Sequence, residues 1–148
     1  MNKKFRSSCV IASCLDLIGD KWSLLIIRDM LLNKKISFKQ IVSSEEGIAT
    51  NLLSSRLKLL ESLEVITKRK LPENKKENLY LLTEKGIELA PLIFEIVIWS
   101  DKYVREYNKT MNAYDAKNAS KSVIVSSVQN EYRELVQKVL RQARNSSD

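Results

Sequence analysis

Residues 37–66, SFKQIVSSEEGIATNLLSSRLKLLESLEVI, are the stretch whose reading decides the fold. Phe38, Ile41 and Val42 fall at i, i+3 and i+4, the spacing of one helical face, so a short helix opens the segment. Ser43, Ser44 and Gly47 then interrupt the pattern, and glycine tolerates the positive φ that a tight turn demands. A second helix is expected over residues 49–63, with Leu53, Leu57 and Leu60, flanked by Leu52, Leu59 and Leu63, as its buried stripe. Thr50, Asn51, Ser54, Ser55, Lys58 and Ser62 fall on the opposite face. Short hydroxyl and amide side chains near a helix N-terminus can reach base edges without bulk, so this face reads as a DNA-binding one. An ordinary helical hairpin with a solvated polar side is the alternative reading of the same pattern.

The flanks complete the picture. Residues 65–71, VITKRKL, alternate with the period of a strand: Ile66, Lys68 and Lys70 on one side, Thr67, Arg69 and Leu71 on the other. Residues 72–77 are a turn by composition, and 78–82, NLYLL, form the returning strand. A hairpin directly after a helix-turn-helix is the layout of a winged helix, whose tip reaches phosphate or the adjacent minor groove. Lys75 and Lys76 stand at that tip. Elsewhere such lysines are solvated charge; beside a polar-faced helix they read as DNA contacts.

Upstream, residues 1–8 are polar and basic, expected as a loose arm. Residues 9–18 read as a helix ended by Gly19, with Asp20 as the N-cap of the next helix, residues 21–33. Trp22, Leu25, Ile26, Met30 and Leu32 give that helix a broad stripe near the centre of the core, with Arg28 and Asp29 at its edge as a surface ion pair. Asn33, Lys34 and Lys35 end it in a basic patch, and Ile36 suits a short strand. Downstream, Thr83 is an N-cap, and Pro91 predicts a kink or break near Ala90. Leu92, Ile93, Ile96, Trp99, Tyr103 and Tyr107 then sustain a stripe larger than a small winged domain covers alone. Either it pairs with its twin in a dimer, or the C-terminal segment folds back over it. Residues 108–122 read as a linker, and Ser126 to Gln129 resemble a capping box. A last helix follows, with Val128, Tyr132, Leu135, Val136, Val139 and Leu140 on one face, and the dimer region is its expected resting place. The tail from Asn145 to Asp148 is expected to be disordered.

Composition excludes more than it names. A chain of 148 residues can build one compact core, and its net charge of +7 favours polyanionic partners. Histidine is absent, which removes Ser-His-Asp and Cys-His catalysis and the usual mixed zinc sites. The two cysteines, Cys9 and Cys14, supply neither a metal site nor a disulfide framework, and the three isolated glycines form no phosphate loop. No enzyme activity, cofactor or metal is therefore expected. No run of about 18 apolar residues exists to span a bilayer. The basic N-terminus lacks the apolar core of a signal peptide, because Asp16, Asp20 and Lys21 interrupt it, so a cytoplasmic protein without a membrane role is expected.

Several motifs converge on one family. Cys9-Val10-Ile11 precedes Leu15-Asp16-Leu17-Ile18-Gly19-Asp20-Lys21-Trp22; Phe38-Lys39-Gln40-Ile41 leads to Gly47-Ile48-Ala49, Leu53, Leu57 and Leu60-Glu61. Tyr80, Leu82-Thr83 and Gly86 follow, then Leu89, Pro91-Leu92 and Trp99. Over residues 9–107 the chain resembles the bacterial HxlR-type winged-helix transcriptional regulators, relatives of the MarR group. It departs from their pattern at Val10, where a proline is usual, and at Lys75-Lys76, which stand in place of a frequent Pro-Pro pair and make the wing more basic. The resemblance implies a homodimer whose long C-terminal helices pair and which binds an inverted-repeat operator in double-stranded DNA. It also implies an oxidant or small-molecule effector sensed by Cys9. Lys3, Lys4 and Arg6 nearby would favour a reactive thiolate there, whereas the plainer reading of Cys9 is a small hydrophobe opening a core helix. Cys14 matches no family cysteine and reads as packing.

The expected fold is mainly α with a small β-hairpin: a winged helix-turn-helix with C-terminal dimerisation helices. Residues 1–8 form a flexible basic arm, 9–83 the DNA-binding domain, 84–109 a long dimerisation helix, and 110–148 a linker and amphipathic helix. The DNA-binding residues are expected to be Lys39, Thr50, Asn51, Ser54, Ser55, Lys58, Lys75 and Lys76, while Arg56 falls in the apolar stripe and braces the fold. A winged-helix protein–protein adaptor is the rival reading, and it would require apolar anchors on the outer face of the second helix.

Overall fold

The computed structural model describes residues 3–114 and 119–145. In chain order these hold α1 (Val10–Ile18), α2 (Ser23–Asn33), α3 (Phe38–Val42), α4 (Thr50–Ser62), β1 (Ile66–Lys70), β2 (Asn78–Leu82), α5 (Glu84–Ile87), α6 (Ala90–Tyr103) and α7 (Lys121–Asn145). This is the mainly helical winged arrangement with an antiparallel two-stranded hairpin. Among the described residues no helix is long and apolar enough to cross a membrane.

Local chemistry sets each boundary. The N-cap position of α2 falls on Trp22 and not on Asp20 as expected, because the helix proper begins at Ser23; the Asp20 carboxylate still accepts the N–H groups of Trp22 and Ser23 at 2.9 and 3.0 Å. Ser37 and Gln40 close a reciprocal capping box on α3, the hydroxyl accepting from Gln40 N–H and the carboxamide from Ser37 N–H. Gly47 turns the chain at φ +69°, the left-handed conformation the sequence pattern calls for. At the far end of α4, Glu64 takes φ +58°, where glycine would be usual. Its N–H reaches Glu61 O and that of Val65 reaches Leu60 O, both at 2.9 Å, the paired bonds of a Schellman motif. Thr83 caps α5 through Gly86 N–H, and the helix breaks before Pro91, which sits in the first turn of α6. A Cβ on Gly86 would stand 2.3 Å from Val65 O, so this residue lets α5 press against the end of α4.

The core gathers Ile26, Ile27, Met30, Leu53, Leu57, Leu60, Ile66, Tyr80 and Phe94. The hairpin pairs Ile66 with Leu82 and Lys70 with Asn78, and Ser37 adds a single bridge to Leu79 on the other side of β2. The short strand expected at Ile36 is reduced to this bridge and to the Ile36 carbonyl, which accepts Tyr80 N–H at 2.7 Å. Strand β2 is buried on both faces. Tyr80 and Leu82 point into the main core; Leu79 and Leu81 point outward and meet Val139, Leu135, Val136 and Leu140 of α7.

Four expectations are corrected. First, α7 starts at Lys121, so Ser126 lies inside the helix and caps nothing. The helix rests on α6, the expected dimer region, and also on α2 and β2 of its own molecule: Val125, Tyr132 and Val139 are buried there, and the Tyr132 hydroxyl accepts Leu82 N–H at 2.9 Å. Toward its C-terminal end the reason is the alternation of β2, which leaves Leu79 and Leu81 needing a cover. Second, Asp29 is 2% exposed, no surface residue, because Arg28, Asn33, Lys35 and Ser44 together satisfy its oxygens. Third, the expected arm touches α1, although residues 3–8 stay exposed: Arg6 binds the Asp16 carboxylate through side chain and backbone, and Lys3 reaches the Asp16 carbonyl. Fourth, Cys14 is exposed, not packed. Asn145 ends α7, while residues 1–2 of the expected arm, 115–118 of the linker and 146–148 of the tail lie outside the described residues.

Candidate nucleic-acid interface

The outer side of α4 and the facing side of the hairpin enclose an open groove of about 440 Å³. Lys39, Ser54, Lys58, Lys68 and Lys76 line it together with Phe38, Tyr80 and Asn78, against two carboxylates, Glu61 and Glu77. Four of the eight expected contact residues, Lys39, Ser54, Lys58 and Lys76, thus share one cavity although they come from α3, α4 and the hairpin turn. Thr50, Asn51 and Ser55 lie outside the groove lining and are exposed along the N-terminal half of α4. The Asn51 carboxamide oxygen is turned back to Leu52 N–H at 2.9 Å, leaving its NH₂ group as the outward donor. Lys75 is exposed on the turn and does not line the groove.

Lys68 is the member that sequence reasoning left out. It pairs across the hairpin with Tyr80 and shares a strand face with Ile66, which is buried. That period-two relation was readable: a strand residue two along from a core residue lies on the helix-facing side of a wing. No apolar anchor stands on the outer face of α4, where Thr50, Asn51, Ser55, Lys58, Glu61 and Ser62 are the exposed residues.

What aims α4 is an ionic cluster around the buried Asp29 at the turn. Asp29 Oδ1 accepts from Arg28 Nη2 at 2.8 Å and Asn33 Nδ2 at 3.0 Å, and Oδ2 from Lys35 Nζ at 3.1 Å and from the Ser44 hydroxyl. Arg28 also grips Glu46 at 2.6 and 3.1 Å, so α2 is tied to both ends of the Ser44–Glu46 bend. Burial alone would raise the Asp29 pKa, but Ser44, Arg28 and Lys35 outweigh it and hold the carboxyl below its ordinary range. On the other flank, Arg56 Nε lies 3.4 Å from Asp20 Oδ1, so α4 is also braced against the start of α2. A helix presented to a ligand by two such ties keeps its angle without any contact on its outer face.

Cys9 is exposed at the N-cap of α1, remote in sequence from the groove, and the Arg6 charge expected to serve it is taken up by Asp16. Cys14 lines a separate shallow cavity of about 130 Å³ with Leu17, Ile18, Leu63, Val65 and Leu89, bordered by Lys85. Both thiols are free. Two helices carry large apolar side chains outward: Val10, Ile11 and Leu15 on α1, and Leu92, Ile96, Ile98, Trp99 and Tyr103 on α6.

Residues 17–108 match the HxlR-like helix-turn-helix family. The HTH-type transcriptional regulator YodB of Bacillus subtilis is 35% identical over 91 residues, which is 62% of this chain and 80% of that protein. Among solved structures, the crystal structure of PA1607 superposes with a TM-score of 0.64 at 31% identity, covering 78% of this chain and 80% of that one. The reduced form of B. subtilis YodB gives 0.56 at 32% identity, covering 68% of this chain and 98% of that one. YodB is also known in a quinone-bound and a diamide-treated form, with TM-scores of 0.52 and 0.51 at 30% and 34% identity. The family match ends before α7 begins.

Proposed function

The chain belongs to the HxlR-like helix-turn-helix family of transcriptional regulators, and from that premise we propose that it acts as a dimer that reads an inverted-repeat operator in double-stranded DNA. Helix α4 enters the major groove, where Thr50, Asn51, Ser54 and Ser55 meet base edges or phosphate. Lys39 and Lys58 hold the backbone, and Lys75 and Lys76 carry the wing to the neighbouring groove. The observation that carries this reading is the groove in which Lys39, Ser54, Lys58 and Lys76 converge, with a neutral small-residue surface beside it. Ammonium groups that flank such a surface favour a polyanion with a readable edge. Lys68, on the same wall, joins the phosphate contacts.

The outward apolar residues of α1 and α6 support the dimer, since exposed side chains as large as Trp99 at 60% and Ile11 at 71% gain most from a second copy. A twofold dimer places two α4 helices at a fixed spacing, which is why the operator is an inverted repeat. Cys9, accessible at the start of α1, is the thiol on which an oxidant or a quinone-like electrophile would act, in keeping with the ligand-treated forms of YodB. An electrophile there sits on one of the two apolar surfaces that join the subunits, so its adduct changes how the two α4 helices are spaced.

The test is a titration of the full chain with DNA flanking its own gene at several salt concentrations. Changing Lys75→Ala and Lys76→Ala together flattens the salt dependence by about 0.9 per lost phosphate contact and weakens binding to all sequences alike. Asn51→Ala instead relaxes sequence preference, at about 1–3 kcal/mol for its own base. An unchanged salt slope in the lysine pair would remove the wing contact. For the thiol, quinone treatment releases the wild type from DNA and leaves Cys9→Ser bound; release of both would move the sensor elsewhere.

A further inference from the structure

The C-terminal third of α7 carries cations that a winged helix does not account for. Residues 137–145, QKVLRQARN, hold Lys138, Arg141 and Arg144 and no Asp or Glu. The preceding turns differ: Glu131 lies 3.8 Å from Lys34, and Arg133 is taken up by Glu84. At about 100° per residue, Lys138, Arg141 and Arg144 span an arc of roughly 120° centred on Arg141, directly opposite the face that buries Tyr132 and Val139. All three are exposed.

Their height beside the wing follows from two contacts. Tyr132 is bonded to Leu82 at the base of β2, and Val139 packs on Leu79 and Leu81, with Leu71 and Ile36 alongside. Seven helical residues rise about 10 Å, as do three strand residues, so α7 runs antiparallel alongside β2 and heads toward the tip. Arg144 comes five residues after Val139, roughly 7.5 Å farther along. That brings it level with the turn of residues 72–77, which holds Lys75 and Lys76.

We propose that Lys138, Arg141 and Arg144 form an additional phosphate-binding site, which grips the backbone of the duplex just outside the segment held by the wing. The site rests on the DNA-binding reading above and enlarges it. It belongs to a helix beyond the family-matched residues, so it is an extension of the footprint particular to chains that carry α7. Cations at a helix C-terminus also offset the helix dipole. That role would appear in stability and leave DNA binding untouched, which makes the two separable.

The experiment uses the full chain and the full chain with Lys138→Gln, Arg141→Gln and Arg144→Gln. Fluorescence anisotropy is followed on two duplexes from the region upstream of its own gene, one trimmed at the wing's footprint edge and one extended beyond it. The wild type binds the extended duplex more tightly; the variant binds both alike. On the extended duplex the variant's salt slope is flatter by up to about 2.7, so between about 50 and 200 mM salt it loses some fortyfold less affinity than the wild type. Should the triple variant lose helicity, Arg144→Gln at the helix end carries the test, with about a third of the change in slope. A variant that keeps the wild-type slope and length preference overturns this site alone. A wild type that binds neither duplex in a salt-dependent way overturns the DNA-binding reading, and this site with it.

Discussion

Helices α6 and α7 carry stripes of the same period and meet opposite fates. In α7, Val125, Tyr132 and Val139 recur every seven residues, and all three are buried. In α6, Leu92, Ile96, Trp99 and Tyr103 recur at alternate steps of four and three, and all four face outward. Period announces that a stripe exists; it does not say what will cover it. The cover for Val139 comes from Leu79 and Leu81, which the pleat of β2 turns away from the main core, while Val125 and Tyr132 join that core beside α6 and α2. Helix α6 meets that core through Ile93 and Phe94 on another side, so its second face is left over. With the core on one side and α7 on another, α6 still leaves Leu92, Ile96, Trp99 and Tyr103 exposed among the described residues.

The difference can be broken from either side. The largest expected effect is on the closed stripe: Tyr132→Ala opens a cavity and costs about 3–5 kcal/mol in chemical denaturation, at any protein concentration. A loss under about 1 kcal/mol would mean that α7 unfolds separately from the winged domain. Next comes the open stripe. Ile96→Lys with Trp99→Lys weakens self-association by at least about 2 kcal/mol, seen as a concentration-dependent shift to monomer in sedimentation, while monomer stability stays within about 0.5 kcal/mol. Should the wild type sediment as a monomer at every concentration, the pairing assigned to α6 is wrong. Smaller still is Tyr132→Phe, which keeps the ring but leaves the buried Leu82 N–H without its acceptor, at about 1–2 kcal/mol. The hydroxyl itself stays protonated across the working range, since burial pushes its pKa up to about 12.

Acid gives the mildest lever. Arg133 holds the Glu84 carboxyl below its ordinary value of 4.5, and the Ser44, Arg28 and Lys35 contacts hold Asp29 below 3.8 against the opposing effect of burial. Both pKa values are depressed in the folded state. Their stabilisation is therefore complete above the unfolded values and drains away as pH falls through the folded ones, below about pH 4. A melting curve followed downward from pH 6 should decline in that window. The decline should be smaller in Asp29→Asn, whose side chain no longer titrates. The apolar association of α6 should not follow that curve.

Much of this architecture was legible in residues 37–66 and their flanks, because it depends on local rules. Periodicity marked α3 and α4, glycine marked the turn at φ +69°, Thr83 marked a cap and Pro91 a break. What escaped depends on partners distant in sequence. Asp29 looked like an edge residue because Lys35 and Ser44, which make its burial tolerable, lie 6 and 15 positions away. The resting place of α7 depends on β2, some 50 residues earlier at the Tyr132–Leu82 bond. The serines at 126 and 127 imitate a helix start inside a helix that begins five residues sooner. In the candidate groove, Lys68 went unnoticed because its strand was read for alternation alone and never for which side turned toward α4.

Among the described residues β1 pairs with β2 alone, so its other side presents unpaired backbone donors and acceptors. Such a border invites a stray strand from another molecule, and Lys68, Arg69 and Lys70 sit on it as successive cations. Stripping those charges to probe DNA affinity would also remove a guard against aggregation. The fall in apparent binding would then mix lost phosphate contacts with protein lost to clumping, and light scattering should accompany every titration of such variants.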